Sequence, residues 1–103
     1  MWSKKEKEIA RGAFKVALER ESLDLLSRLK EMADTAENRE DVWKIHDFLT
    51  ERRTEIDQKY DYRYSMLIPI FGRLIREGWI RLDELEGFNE DKIAEIKIFA
   101  GLE

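Results

Sequence analysis

Cysteine is absent from the 103-residue chain, so neither a disulfide frame nor a thiolate metal site can form, and a reducing cytoplasm is the expected setting. Histidine occurs once, as His46. A zinc or di-iron centre needs several imidazoles or paired Glu-x-x-His motifs, so no metal is expected. The five glycines are isolated and none opens a helix at the spacing of a phosphate-binding loop. Positive charge is not in surplus: 19 Lys and Arg stand against 23 Asp and Glu, a formal charge of −4 that argues against a phosphate-driven grip on nucleic acid. No apolar run has the length of a signal-peptide core or a membrane span, so an unprocessed, soluble chain without membrane insertion is expected. His46 and Asp47 are sequence neighbours whose side chains point about 100° apart on a helix, so they are not expected to pair as part of a catalytic triad. The expectation is a protein without catalytic residues, cofactor or small-molecule substrate.

What the chain does contain is helix-forming material. Hydrophobic residues make up 43% and charged residues 41%, with a single proline, and no stretch reads as a strand. Ser3 and Glu6 fit a capping box that starts a first helix at once. Along it, Ile9, Ala13, Val16, Leu23, Leu26 and Ala33 form one apolar row, and Phe14, Leu18, Leu25, Leu29 and Met32 a second. Two rows suggest packing within the chain on one side and a second subunit on the other. Gly12 costs up to about 1 kcal/mol relative to alanine in this run, which a close helix approach would offset. The pattern lapses at residues 34–38, a hairpin turn, and Asn38 caps a second helix that runs to about Lys59 or Tyr60. A short break precedes the apolar run at residues 66–75, where Pro69 falls near the start of a third helix. Gly78 is placed to end that helix. Residues 80–86 make a short helical turn closed by Gly87, and Asn89 caps a last helix with Ile93, Ile96, Phe99 and Ala100 on one stripe. The fold class is therefore all-α: one domain over residues 1–103, with a long helical hairpin stem at about residues 3–60 and a small C-terminal head of short helices at about 61–103.

The second helix carries the most informative surface. At about 100° per residue, Val42, Leu49, Ile56 and Tyr60 align as a packing stripe with Ile45 close by. Beside it, Arg53, His46, Asp57, Thr50, Trp43, Thr54 and Asp47 cover an arc of about 120°. Tryptophan and arginine together are typical of binding hot spots. Asp47 and Arg53 lie too far apart to pair on one straight helix, so their pairing has to cross to a second copy of the chain. A two-fold dimer makes that contact twice.

The run WKIHDFLTERRTEIDQKYDYR at residues 43–63 resembles the signature region of the cyanobacterial fluorescence recovery protein family. Its most specific parts are Trp43-Lys44-x-His46-Asp47-Phe48-Leu49, Arg53, Glu55-Ile56-Asp57-x-Lys59-Tyr60-Asp61-x-Arg63 and Glu77-Gly78, and the similarity extends over nearly the whole chain. The resemblance implies a cofactor-free helical homodimer that binds the photoactivated orange carotenoid protein, mainly through that protein's C-terminal domain. It further implies that the dimer accelerates the red-to-orange reversion, promotes detachment from the phycobilisome, and meets the thylakoid surface through its partners. By position, Trp43, Asp47 and Arg53, with His46 beside them, match the family's dimer centre and functional surface; Thr50 and Asp57 share the same flank. The head offers a second candidate contact at Pro69, Phe71, Glu95 and Phe99. Two of these depart from the family pattern, with Pro69 in place of an aromatic residue and Glu95 in place of a basic one. The alternative is a divergent homologue from a bacterium without phycobilisomes, acting on a different protein partner.

Overall fold

A computed structural model describes residues 1–102; Glu103, the last residue of the expected head, lies outside them. Helix α1 (Lys4–Thr35) starts on the expected capping box: the Ser3 hydroxyl accepts from the Glu6 amide at 3.1 Å, and the Glu6 carboxylate accepts from the Ser3 amide at 2.9 Å. Helix α2 (Arg39–Lys59) starts on Asn38, whose side-chain oxygen accepts from the Asp41 amide at 3.1 Å. Asp41 in turn accepts from the Glu37 amide at 2.9 Å, closing the hairpin turn. That bond outweighs burial and holds the Asp41 carboxyl below its ordinary range.

The head begins where Tyr60 leaves helical geometry. A 3-10 turn at Tyr64–Met66 leads into α3 (Leu67–Glu77). Pro69 falls in the first turn of α3, where its missing N–H has no helical partner to lose, so the helix is not broken. Gly78 ends α3 in the left-handed region at φ 86°, letting the Trp79 amide reach the Leu74 carbonyl at 2.9 Å. After a second 3-10 turn at Leu82–Leu85, Asn89 caps α4 (Glu90–Ala100), accepting from the Lys92 amide at 2.8 Å. Helices α3 and α4 pack at backbone distance through Gly72. A Cβ there would stand 2.3 Å from the Phe99 Cβ and 3.0 Å from the Phe99 carbonyl carbon. Among the described residues, the only strand-like pairing is an isolated bridge between Glu86 and Phe88.

The core joins Ala10, Ala13 and Ala17 of α1 to Leu67, Ile70, Phe71 and Leu74 of α3, with Ile80, Leu85, Phe88 and Ile96 completing it. The N-terminal half of α1 is thus a wall of the head. This revises the expected apolar rows, which omitted Ala10 and Ala17: small side chains let the helices approach, while the larger Phe14 and Ile9 pack at the margin. The expected close approach at Gly12 is also absent, because no atom lies within 4 Å of the position its Cβ would take. Beyond Glu21, the remainder of α1 and most of α2 form a stem with no fully buried residue, and the molecule measures 53 × 24 × 17 Å.

Glu6 ties the start of α1 to the start of α4. Besides the Ser3 amide, it accepts from the Asn89 amide at 2.8 Å and from Lys92 Nζ at 3.2 Å, and Lys92 also donates to the Met1 carbonyl at 2.6 Å. The two amides, with Lys92, outweigh burial and hold the Glu6 carboxyl at about 2 instead of 4.5. A carboxyl depressed in the folded state contributes stability that is present above its unfolded value and lost as the pH falls through the folded one. The melting temperature is therefore expected to fall between about pH 4.5 and pH 2, and Glu6→Gln to flatten that acid limb in a thermal-melt series. Parallel acid limbs for the two proteins would rule out this role for Glu6.

Candidate partner interface

Helix α2 divides lengthwise into a face toward the protein and a face toward solvent. Lys59 is its only buried residue, and Ile45, Leu49, Arg52 and Ile56 are half-buried on the same side. The expected stripe centred on Leu49 is displaced by roughly 40–50° of helix rotation at 100° per residue, and Val42, expected inside, is 54% exposed. The displacement has an electrostatic cause. Lys59 Nζ lies 2.6 Å from Glu21 of α1 and 2.7 Å from Glu77 of α3, and this contact sets which side of α2 turns inward.

The opposite face gathers the expected interface residues. Trp43, His46, Asp47, Thr50, Arg53 and Asp57 are all exposed, Trp43 by 59%. The Trp43 and His46 rings meet edge-on, with centroids 6.1 Å apart. His46 Nδ1 stands 3.5 Å from Asp47 Oδ1, closer than the 100° helix step suggested, since both side chains bend along the surface. This long, exposed contact lacks the third group and the burial of a catalytic pair. The Thr50 and Thr54 hydroxyls donate back to the His46 and Thr50 carbonyls at 2.9 and 3.1 Å. Arg53 Nε approaches Asp57 at 3.8 Å, with side chains 85% and 70% exposed. An exposed pair of that length contributes well under about 1 kcal/mol, so Arg53 can exchange it for a better partner at little cost. Leu23 and Leu26 of α1 are exposed as well.

The head contact is smaller than the sequence suggests. Phe71 is fully buried, with its ring against Phe88 at 5.9 Å, and belongs to the core instead of to a surface. It faces inward because α3 presents Leu67, Ile70, Phe71 and Leu74 to α1 and α4. Pro69 is half-buried, Glu95 exposed and Phe99 47% exposed. Ile98 and Leu102, which sequence reasoning passed over, are exposed beside Phe99 in the chain. Their signal was an apolar surplus at the end of a helix whose single stripe was already filled.

A second feature that sequence reasoning missed is the ion network where stem meets head. Around Lys59, the Tyr60 hydroxyl donates to Glu21 at 2.7 Å, while Arg73 and the Trp79 indole donate to Glu77 at 2.7 and 3.0 Å. Burial would raise the Glu77 carboxyl, but the bonds from Lys59 and Arg73 prevail and hold it at about 2. Burial and the bond to Glu21 push the Tyr60 phenol upward. Among the described residues, no group of three or more His, Cys, Asp and Glu could hold a metal ion, and no helix is long and apolar enough to cross a membrane.

A family model described as photoprotection regulator fluorescence recovery protein matches residues 2–100. The chain belongs to this family. It is 40% identical over 101 residues to the fluorescence recovery protein of Synechocystis sp. (strain ATCC 27184 / PCC 6803 / Kazusa), covering 98% of this chain and 93% of that protein. The solved structure of the Fremyella diplosiphon fluorescence recovery protein superposes with a TM-score of 0.93 at 42% identity, over 98% of this chain and 99% of the other. The solved Synechocystis sp. PCC 6803 fluorescence recovery protein also gives 0.93, at 39% identity over 99% and 100% of the two chains. Membership of the fluorescence recovery protein family gives the chain a regulatory role in photoprotection and confirms the all-α stem-and-head architecture.

Proposed function

We propose that the chain acts as a homodimer that binds photoactivated orange carotenoid protein through that protein's C-terminal domain, accelerates its red-to-orange reversion and promotes its detachment from the phycobilisome. The observation that carries this reading is the exposed α2 face, where an aromatic ring and weakly paired, solvent-exposed charges occupy one arc and the chain offers them no cover. In a two-fold dimer, Arg53 of each protomer leaves Asp57 for Asp47 of its partner, and Trp43 is covered at the same time. Activity then needs no bond chemistry, catalytic residue, metal or cofactor. A dimer that holds the arrangement in which the two domains re-dock more tightly than the fully separated one speeds the return, because a binder lowers a barrier only by its differential affinity for the state to be reached. The setting is the cytoplasm, at the thylakoid surface through the partners.

Mixing the protein with photoactivated carotenoid protein is expected to speed the dark decay of the red form by about tenfold, equivalent to lowering the barrier by about 1.4 kcal/mol. An unchanged decay at molar excess would favour the second reading, a different protein client, for which the exposed Glu95 and half-buried Pro69 of the head speak. For the dimer, Arg53→Glu is expected to shift the solution mass toward the monomer in light scattering. A variant that stays dimeric would show that the crossed contact is not what holds the pair.

A further inference from the structure

Lys4, Lys7, Arg11 and Lys15 leave α1 at one-turn intervals and, with Glu8, Gly12 and Tyr64, line an open groove of about 530 Å³. At about 100° per residue the four cations fall within an arc of about 80°. In a chain of net charge −4, none of the four is in an ion pair among the described residues. Aromatic rings hold two of them in place instead: Lys7 Nζ lies 5.2 Å from the Tyr64 ring centroid, and the Arg11 guanidinium 5.1 Å from that of Tyr62. Tyr64 also meets Trp2 at 5.8 Å, which gives the groove an aromatic border. Gly12 forms part of its lining, and the space that its Cβ would enter is open to at least 4 Å. A mid-helix glycine costs up to about 1 kcal/mol, and no packing within the chain requires one here.

We infer that this groove docks an acidic helix of a partner protein, at a site separate from the α2 face and independent of the carotenoid-protein reading. The spacing favours a helical occupant. Carboxylates placed every fourth residue of a helix recur at about one turn, roughly 5–6 Å, the same interval at which the cations recur along α1. Gly12 leaves space for a side chain between them, and the Tyr64 ring offers it an apolar wall. Charge complementarity selects against the other anionic surfaces. Glu8 interrupts the cations, so a continuous array of phosphates, whether of nucleic acid or of an anionic bilayer, meets like charge there, whereas a helix with spaced carboxylates can pass it.

The test uses the full chain and a fluorescein-labelled alanine-based helix carrying glutamate at every fourth position, with its lysine counterpart as control, followed by anisotropy at about 50 mM salt, where screening is weak. The glutamate helix is expected to bind, and Lys7→Glu/Arg11→Glu to weaken it at least about tenfold, roughly the effect of reversing two contacting charges. Lys4→Gln/Lys15→Gln, which leaves both aromatic contacts intact, is expected to weaken binding less, and Arg53→Glu to leave it unchanged. Absence of binding by the wild type overturns the inference, as does equal binding by both groove variants when circular dichroism shows them folded. Loss of binding in Arg53→Glu would move the site to α2 and overturn it as well. Tighter retention on phosphatidylglycerol vesicles or duplex DNA than on the acidic helix would overturn the choice of occupant.

Discussion

Lys59→Ala is expected to lower the unfolding free energy by about 3–5 kcal/mol, the usual cost of removing one partner from a buried ion pair. The lysine side chain is only 3% exposed, and it is shared by Glu21 and Glu77, whose side chains are 11% and 30% exposed. Without it, two carboxylates face each other across the junction with Arg73 as their one remaining counter-charge, helped only by the neutral Tyr60 and Trp79 donors. Urea titration is the direct measurement: the midpoint should drop while the slope stays near the wild-type value, since the surface exposed on unfolding is unchanged. The variant should also lose part of its acid sensitivity, because the depressed Glu77 carboxyl owes its position first to Lys59 among its hydrogen-bonding partners. A loss below about 1 kcal/mol would mean that water reaches the site and that the network contributes no more than a surface pair.

Phe71→Ala is expected to cost about 3–5 kcal/mol through lost burial and the cavity left behind. The ring is fully buried between α1 and α4 and touches Phe88, so no neighbour can move in without shifting a helix. The measurement also separates core from contact. If the ring is only structural, the folded fraction of the variant at low temperature should bind its client as the wild type does, with all of the damage appearing in the melting curve. Unchanged stability together with weakened binding would return Phe71 to the surface role that the sequence suggested for it.

Helix boundaries were legible because capping is local. Ser3, Asn38, Gly78 and Asn89 each act within a few residues of themselves, and each stands where its chemistry indicated. Helix rotation was not legible to the same degree. The inward side of α2 depends on Lys59 meeting Glu21 and Glu77, which lie 38 and 18 positions away in the chain, and no periodicity records such a meeting. Reading Ala10 and Ala17 as indifferent had a related cause, since their value lies in how closely α3 can approach. The exposed flank from Trp43 to Asp57 was legible for the opposite reason: it is defined by what fails to fit an apolar stripe on a single helix. The shortened head contact followed from α3, where a nearly continuous apolar run gives no indication of which side is covered.

Helix α1 belongs to both parts of the molecule: its first half walls the head and its second half is one leg of the stem. Its 32 residues span about 48 Å at 1.5 Å each, close to the 53 Å length of the whole protein. There is consequently no hinge along this leg. The head is braced by a continuous strut, so in the proposed dimer a torque applied at the stem tip would reach the Glu6–Asn89 junction at the start of α1 as a tilt of the whole body. Two such bodies held at the stem would present their heads at a fixed separation, so a client that engages both is measured against a rigid caliper.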